Sequence, residues 1–206
     1  MKKYEIGLIG LSVMGQNLAL NIARSHSIAV YNRTESKTKN FMNDKVKNQE
    51  IKAAYELEDF AASLARPRKI MLMIKAGKPV DLVIDSLLPY LEKDDIIIDG
   101  GNSHFKDTNR RLKNLNEKGI RYLGVGISGG EYGALHGPSI MPGGNESAYA
   151  EISDIMEDAA AKTEKGPCVS YLGPQSAGHY VKMVHNGIEY GIMEVLAEIY
   201  DYMRKI

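Results

Sequence analysis

The chain has 206 residues, of which 44% are hydrophobic and 25% charged, so a packed core is expected and a disordered protein is excluded. Its 26 basic residues balance its 26 acidic residues, so net charge gives no general attraction to nucleic acid and any anion site must be built locally. Cys168 is the only cysteine, and neither a signal peptide nor a membrane span of roughly 18 apolar residues is evident, so we expect a cytoplasmic chain without nucleic-acid or membrane partners.

Short β-rich runs alternate with longer helical segments up to about residue 175. The predicted strands are Tyr4–Ile9, Ser27–Tyr31, a weaker Ile51–Tyr55, Lys69–Ile74, Asp95–Asp99, Arg121–Val125 and Cys168–Leu172. The predicted helices are Gln16–Arg24, Ser36–Asp44, Leu57–Leu64, Val80–Leu91, Lys106–Lys118 and Glu146–Lys162. Because several strands are continuous apolar runs, they suit a sheet covered on both faces. We predict an α/β fold with a doubly wound, Rossmann-like and mostly parallel sheet over residues 1–175.

A glycine-containing turn follows the first predicted strand and opens the first helix. The segment from Gly10 to Gly15 matches G-x-G-x-x-G except that Ser12 replaces the middle glycine. In this strand-turn-helix context, Gly10 permits the tight turn, Gly15 permits close helix–strand approach, and the helix N-terminus faces a pyrophosphate. A plain turn without a ligand is the alternative, and dinucleotide binding is favoured.

The end of the second predicted strand favours NADP over NAD. An NAD enzyme usually carries a carboxylate there, whereas this chain has Asn32, which does not repel a 2′-phosphate. Arg33 can pair with that phosphate and stack on the adenine. Thr34 offers a hydroxyl, although it can equally serve as a helix N-cap.

Three later turns also follow predicted strands, and all three are expected at the same edge of the sheet. They are the segments Lys75–Pro79, Asp99–Ser103 and Ser128–Glu131. Each alone is typical of an ordinary turn, but together they indicate a ligand crevice. The Gly137–Gly144 segment is predicted to be a rigid path between elements.

The last segment, residues 176–206, is predicted to be one long helix. It lacks proline, and its apolar residues spread around much of the circumference, which indicates burial on more than one side. On its first turns, Lys182, Asn186 and Glu189 share one face with Gly178, and His185 borders that face. A solvated charged face is the alternative, but the apolar surroundings favour a functional stripe.

These motifs resemble the 6-phosphogluconate dehydrogenase family of the pentose phosphate pathway along the whole chain. The resemblance rests on the segments Gly10–Leu18, Asn32–Thr34, Ile98–Ser103, Val125–Glu131 and Lys182–Tyr190. The wider β-hydroxyacid dehydrogenase superfamily shares Gly178, Lys182 and Asn186, whereas His185 and Glu189 indicate the phosphogluconate branch.

The resemblance implies oxidative decarboxylation of 6-phosphogluconate to ribulose 5-phosphate and carbon dioxide with reduction of NADP, and no metal. Lys182 would be the general base and Glu189 the general acid, and burial in a closed crevice would lower the first pKa and raise the second. The implied substrate ligands are Asn102, Ser128, Gly129, Gly130, His185, Asn186 and Tyr190. The expected coenzyme-binding residues are Gly10, Ser12, Val13, Met14, Gly15, Asn32, Arg33, Thr34, Lys75 and Asn102.

The resemblance also bears on domain organisation. Family members continue into a large all-helical domain and act as homodimers, so residues 176–206 resemble the first helix of that domain and the chain alone is expected to be poorly active. His104-Phe105 departs from the acidic or polar residue and tyrosine that are more usual in the family. Two alternatives remain: a β-hydroxyacid dehydrogenase for another substrate, and a non-catalytic NADP-binding module.

Overall fold

Strands and helices alternate along residues 2–206, the part of the chain that the computed structural model describes. The strands are β1 Ile6–Ile9, β2 Ile28–Tyr31, β3 Ile51–Ala54, β4 Lys69–Leu72, β5 Ile96–Asp99, β6 Arg121–Ser128, β7 Ser139–Gly144, β8 Lys162–Thr163 and β9 Gly166–Pro167. The helices are α1 Val13–Ile22, α2 Glu35–Asp44, α3 Leu57–Ser63, α4 Lys78–Leu87, α5 Phe105–Asn116, α6 Gly130–His136, α7 Glu146–Ala150, α8 Ser153–Ala159 and α9 Ala177–Arg204.

Seven strands form one sheet in the order β3-β2-β1-β4-β5-β6-β7, and β8 pairs with β9 in a small separate hairpin. The first six strands of the chain are mutually parallel, and β7 alone runs antiparallel, beside β6. The strand order therefore reverses between β1 and β4. In open parallel sheets, ligands bind outside the carboxyl ends of the strands at this reversal.

The sheet is buried on both faces, as the continuous apolar runs predict. In β5, Ile96 and Ile98 pack into a core with Leu18 and Phe41 from the helices of one face. Ile97 points to the opposite face and packs with Phe60 of α3. Successive side chains alternate between faces, so a strand with a helix layer on each side must be apolar throughout.

The long helix α9 is docked at one end only. Its buried residues, Gly178, His179 and Lys182, all lie in its first two turns, which pack on β6 and β7. Beyond them, apolar side chains such as Ile188 and Leu196 are each 60% exposed. Within residues 2–206 the helix is therefore not buried on several sides, and such burial stays a prediction that requires a further helical region or a partner. None of the helices in this range is long and apolar enough to cross a membrane.

The predicted doubly wound sheet followed by one long helix is confirmed, but two predictions at the sheet edge are wrong. Residues 139–144, predicted to be a connecting path, form β7, and residues 168–172, predicted to be a strand, do not. Because β7 occupies the place beside β6, the later segment reaches only the outer edge of β7. It makes an isolated bridge there between Ile140 and Val169 and a few further backbone hydrogen bonds, such as that from Leu172 to the Pro142 carbonyl. Pro142 of β7 has no N–H with which to extend that ladder.

Two helix predictions also need correction, and one helix was missed. The helix predicted over residues 146–162 is interrupted at Glu151 and Ile152, and this break leaves Ile152 fully buried. The helix predicted over residues 80–91 ends at Leu87 and continues as a 3-10 turn, Leu88–Tyr90, that contains a proline. Helix α6 was not predicted, since its seven residues begin within a glycine pair that reads as a turn.

Candidate functional site

A cleft of about 750 Å³ opens at the carboxyl edge of the sheet, where the strand order reverses. Its walls come mainly from the turns after β1, β2, β4 and β5 and from α4. Of the sequence-predicted coenzyme residues, those that line it are Gly10, Ser12, Met14, Asn32, Arg33, Thr34, Lys75 and Asn102. Val13 and Gly15 lie in the adjacent first turn of α1. The expectation that turns from several strands meet at one edge is confirmed.

The turn between β1 and α1 requires both of its glycines. Gly10 has φ +105°, a left-handed conformation that side chains disfavour, and an added Cβ would collide with the Met73 carbonyl. A Cβ on Gly15 would overlap the carbonyl oxygen of Gly10. Ser12 occupies the N-cap position without making a side-chain cap bond. The first N–H groups of α1, which have no acceptor within the helix, therefore remain available to an anion in the cleft.

Asn32 holds the second strand end against the glycine turn. Its Oδ1 accepts a hydrogen bond from the N–H of Leu11 at 3.0 Å, and its Nδ2 donates to the carbonyl of Thr34 at 3.1 Å. The amide is therefore used within the protein, and the neighbouring Arg33 is left exposed at the rim of the cleft. Thr34 is the N-cap residue of α2 but makes no side-chain cap bond.

Positive charge along the cleft is not neutralised by ion pairs. Arg33, Lys37 and Lys75 line the cleft. Among residues 2–206, no ion pair involves any of the three. In a chain without net charge, these three side chains give the cleft a local excess of positive charge, which suits an anion.

The predicted substrate turn lies beyond β5, at the end of β6. Ser128 ends this strand and is half-buried, whereas Gly129 (φ +137°) and Gly130 (φ +60°) are exposed and open α6. The side-chain amide of Asn17 in α1 donates to the carbonyl of Glu131 at 2.8 Å, which ties this turn to the coenzyme-side helix. The turn does not line the cleft itself, although its neighbour Ile127 does.

The first turns of α9 sit on the sheet without intervening side chains. A Cβ on Gly178 would overlap the carbonyl oxygen of Gly124, and a Cβ on Gly143 would overlap the backbone N–H of Gly178. A Cβ on Gly126 would lie only 2.5 Å from the Cβ of Lys182. These four glycines form a glycine seat for α9, and the predicted role of Gly178 as a point of close approach is confirmed.

The glycine seat buries the amine-bearing residue of the predicted catalytic stripe. Lys182 is only 7% exposed, and this burial lowers its pKa from the ordinary value, while the charge of Glu189 acts in the opposite direction. The expected lowering is therefore confirmed. A neutral amine is the form of lysine that can accept a proton.

The rest of the predicted stripe is not buried. The side chain of Glu189 is 53% exposed and lies 3.6 Å from Nδ1 of His185. No closed crevice buries this carboxyl group within residues 2–206, so its burial stays a prediction. Asn186 is half-buried, and Tyr190 is 69% exposed. Beyond Lys182 the helix has left the sheet, so no part of the described chain lies over these side chains.

A buried polar cluster beside Lys182 was missed by the sequence analysis. The ring of His179 donates from Nε2 to the carbonyl of Asp99 at 3.0 Å, and its Nδ1 lies 2.7 Å from the Thr108 hydroxyl. The Asp99 carboxyl group accepts from the Tyr122 hydroxyl at 2.8 Å, and Arg111 lies 3.4 Å from it. These partners are far apart in sequence, so no local motif could have indicated the cluster. The only available signal would have been polar residues at positions where burial is expected.

The unexplained pair His104-Phe105 also has a structural account. His104 is the N-cap of α5, and its Nδ1 accepts from the N–H of Lys106 at 3.3 Å. The Phe105 ring meets the Tyr180 ring edge-to-face at 5.4 Å, which adds an aromatic contact between α5 and the start of α9.

Comparison with known sequences gives two matches that meet at the start of α9. A family model described as the NAD binding domain of 6-phosphogluconate dehydrogenase matches residues 5–173. A second, described as the C-terminal domain of 6-phosphogluconate dehydrogenase, matches residues 178–206. The decarboxylating 6-phosphogluconate dehydrogenase of Synechococcus elongatus is 56% identical over 100% of this chain and 44% of its own length. The NADP(+)-dependent decarboxylating enzyme of Bacillus subtilis is 55% identical, again over 44% of its length.

Solved structures agree with these matches. Plasmodium falciparum 6-phosphogluconate dehydrogenase, studied in its apo form and in complexes with NADP+ and with 6-phosphogluconate, superposes with a TM-score of 0.90 and 49% identity. The match covers 95% of this chain and 42% of that one. A 3-hydroxyisobutyrate dehydrogenase from Mycobacterium tuberculosis, at 20% identity and a TM-score of 0.78, shares the fold. The chain thus spans less than half the length of the curated relatives that it matches.

Proposed function

Because the chain belongs to the 6-phosphogluconate dehydrogenase family, we propose that it supplies the coenzyme site and the catalytic helix for NADP-dependent oxidative decarboxylation of 6-phosphogluconate. The observation that carries this proposal is the position of Lys182. Lys182, a buried residue whose amine has a lowered pKa, packs on the glycine seat beside Gly126. Ile127, the next residue of the same strand, lines the cleft. An amine in this position can take a proton from a substrate bound at the mouth of the cleft.

The residues of the cleft fit NADP. Gly10 and Gly15 permit the tight turn that brings the N-terminus of α1 to the cleft, where a pyrophosphate would meet its free N–H groups. Arg33 and Lys37 supply unpaired positive charge for a 2′-phosphate, and Asn32 brings no negative charge to oppose it. Lys75 and Asn102, from the turns after β4 and β5, also line the cleft and would face the nicotinamide. When bound, NADP supplies the acceptor for the hydride that leaves C3 of the substrate.

Two residues of α9 would carry the proton transfers. Lys182 would take the proton of the substrate 3-hydroxyl as the hydride leaves C3, giving a 3-keto acid. Loss of carbon dioxide from this β-keto acid leaves its electron pair in an enolate, which the protonated Lys182 would stabilise. Glu189 would then protonate C1 to give ribulose 5-phosphate. No step requires a metal ion.

The remaining predicted residues would hold the substrate. Ser128, Gly129 and Gly130 offer a hydroxyl and exposed backbone groups at the end of β6. His185 and Asn186, together with Tyr190, project from α9 beside Lys182. Because these α9 side chains are largely exposed, we propose that substrate or further protein covers them during turnover.

We also propose that residues 1–175 form the coenzyme domain and that residues 176–206 begin an all-helical domain of a homodimeric enzyme. The change of family match between residues 173 and 178 supports this division. The exposed apolar face of α9 supports further packing on that helix. The free thiol of Cys168 suits a reducing compartment such as the cytoplasm.

The first experiment is a calorimetric titration of this chain with NADP and with NAD. We expect tighter binding of NADP, and we expect Arg33→Met to weaken it by about 10- to 100-fold, because a charged hydrogen-bonded pair contributes about 1.5–3 kcal/mol. The matched control is Arg24→Met at the far end of α1, which should leave both affinities unchanged. Equal binding of the two coenzymes by the unmodified chain would contradict the coenzyme assignment.

A second measurement separates the enzyme from the alternatives. NADPH formation is followed with 6-phosphogluconate and, separately, with short β-hydroxy acids. Activity specific for 6-phosphogluconate and abolished by Lys182→Ala would support the proposed reaction. Preference for a short acid would indicate another β-hydroxyacid dehydrogenase.

NADP binding without turnover would support a coenzyme domain whose substrate site is incomplete. If activity remained absent when the C-terminal part of a relative was added, the non-catalytic module would be favoured.

A further inference from the structure

Three segments that carry candidate site residues converge on one buried polar cluster. The turn with Lys75 reaches it through the carbonyl of Gly77, and the turn with Asn102 reaches it through Asp99 and Ser103. The first turn of α9 reaches it through the ring of His179, three residues before Lys182. We refer to the set Asp81, Asp99, Ser103, Thr108, Arg111, Tyr122 and His179 as the Asp99 cluster.

Arg111 joins two of these segments. Its side chain is 2% exposed, and its Nε and Nη2 donate to the two carboxylate oxygens of Asp81 at 2.8 and 3.1 Å. Nη2 also donates to the carbonyl of Gly77 at 3.0 Å, and Nη1 donates to the Ser103 hydroxyl at 3.1 Å. Only the planar fork of arginine can make all these bonds together; a lysine amine cannot.

His179 joins the third segment to the same cluster. The carbonyl of Asp99 can only accept, so Nε2 carries the proton and donates to it at 3.0 Å. In the neutral ring Nδ1 then accepts from the Thr108 hydroxyl at 2.7 Å. Burial lowers the pKa of His179, which keeps this neutral form at pH 7. Both ring nitrogens are used, so the orientation of the ring and the position of the helix turn that carries it are fixed.

We propose that Arg111 and His179 are positioning residues, which set the coenzyme-side turns and Lys182 at a fixed distance from one another. This inference rests on the proposed function. If the cluster served stability alone, apolar residues of similar volume could often replace it without loss of folding free energy. Here the bonds end on the backbone or side chains next to Lys75, Asn102 and Lys182, and the cluster itself leaves those three free to meet ligand.

The test uses three variants and one matched control. The variants are Arg111→Lys, His179→Gln and Ser103→Ala. The control is Ser63→Ala, because Ser63 and Ser103 are both buried and each hydroxyl donates one short hydrogen bond, at 2.7 and 2.6 Å, but Ser63 lies in α3 away from the cleft. Circular dichroism establishes which variants fold. If Arg111→Lys or His179→Gln fails to fold, the smaller change Ser103→Ala still tests the positioning role.

Two readouts go beyond stability. The first is NADP affinity by calorimetry, which should fall about tenfold in Arg111→Lys and about threefold in Ser103→Ala. The second is the pH dependence of Lys182 acetylation in competitive labelling with acetic anhydride, read by mass spectrometry. Its midpoint should shift by about half a pH unit or more in His179→Gln, and by less in Ser103→Ala. Ser63→Ala should lower the unfolding temperature and move neither readout.

The outcomes separate this inference from the proposed function. If the variants lower only the unfolding temperature, as Ser63→Ala does, the Asp99 cluster is structural and the inference is wrong. If the unmodified chain fails to bind NADP, the coenzyme assignment fails, and the labelling midpoint of Lys182 still decides whether the cluster positions that amine. A shifted midpoint in His179→Gln, with the control unchanged, supports positioning in either case.

Discussion

The two parts of helix α9 are one continuous element with opposite physical situations. In its first turns, backbone meets backbone across the glycine seat, and even Lys182 is buried. From Met183 onward the helix leaves the sheet, and apolar side chains such as Ile188 and Leu196 are 60% exposed. In the docked part an added side-chain atom would overlap backbone, whereas in the free part it would extend into open space. Position along one helix therefore decides whether a substitution affects the whole fold or only a local turn.

The largest expected effect comes from Gly178→Ala. The new methyl group would overlap carbonyl oxygens of two strands, and backbone cannot move aside as a flexible side chain can. We expect a loss of about 3 kcal/mol in the free energy of unfolding, measured by urea denaturation. A stability equal to that of the unmodified chain would mean that the close seat is not present in solution.

The next effect has the opposite sign. Lys182→Met should raise the unfolding temperature at pH 7 by about 2–4 °C, because the substitution removes a buried group whose ionised form is poorly solvated. Burial places the folded-state pKa of Lys182 below 10.5, the ordinary value that it has in the unfolded chain. The gain should therefore shrink as pH rises towards 10.5, because Lys182 then loses its proton in the unfolded state as well. A gain that does not depend on pH would point to better packing instead.

A smaller effect is expected for Gly191→Ala, the matched control for Gly178→Ala on the same helix. Apart from the neighbouring backbone of the helix itself, no described atom lies within 4 Å of the added Cβ, and alanine is favoured over glycine in a helix by about 1 kcal/mol. The helical signal at 222 nm should rise, and the unfolding midpoint of the sheet should stay unchanged. A lowered midpoint would show that the free part of α9 packs against something in solution.

The smallest expected effect is a change in how stability depends on pH near neutrality, and it concerns His179 in the docked part of α9. Burial lowers the pKa of His179 below 6.5, so between that lowered value and pH 6.5 the unfolded state binds more protons than the folded state. Stability should therefore fall as pH drops below 6.5, and His179→Gln should remove this part of the pH dependence. Thermal unfolding at pH 7.5, 6.5 and 5.5 measures it. An unchanged profile in the variant would assign the loss to other groups.

The sequence predicts the parts of this molecule that depend on short-range pattern. The turn from Gly10 to Gly15 is recognisable because strand, turn and helix follow one another directly, and the C-terminal ends of parallel strands must share one edge. Strand β7 was missed because its glycines and Pro142 disfavour a strand, and pairing with β6 overrides that preference.

The candidate site shows the same division. Lys182 was predicted from residues on its own helix face, and its lowered pKa follows from burial. The partners of His179 lie 71 and 80 residues away, so the Asp99 cluster could be found only in three dimensions. The exposure of Glu189 within residues 2–206 could not be predicted, because helical spacing tells which side chains share a face and does not tell where the helix leaves the sheet.

The one-ended seat gives α9 the mechanics of a lever. From Lys182 to Arg204 the helix extends about 33 Å at 1.5 Å per residue. A tilt of one degree about the seat would therefore move the far end by about 0.6 Å, while the lysine near the pivot would turn almost in place. With no side chains between helix and strands to absorb displacement, a load applied at the far end would be transmitted stiffly to the amine. Protein that binds that end would therefore also set the orientation of the Lys182 amine.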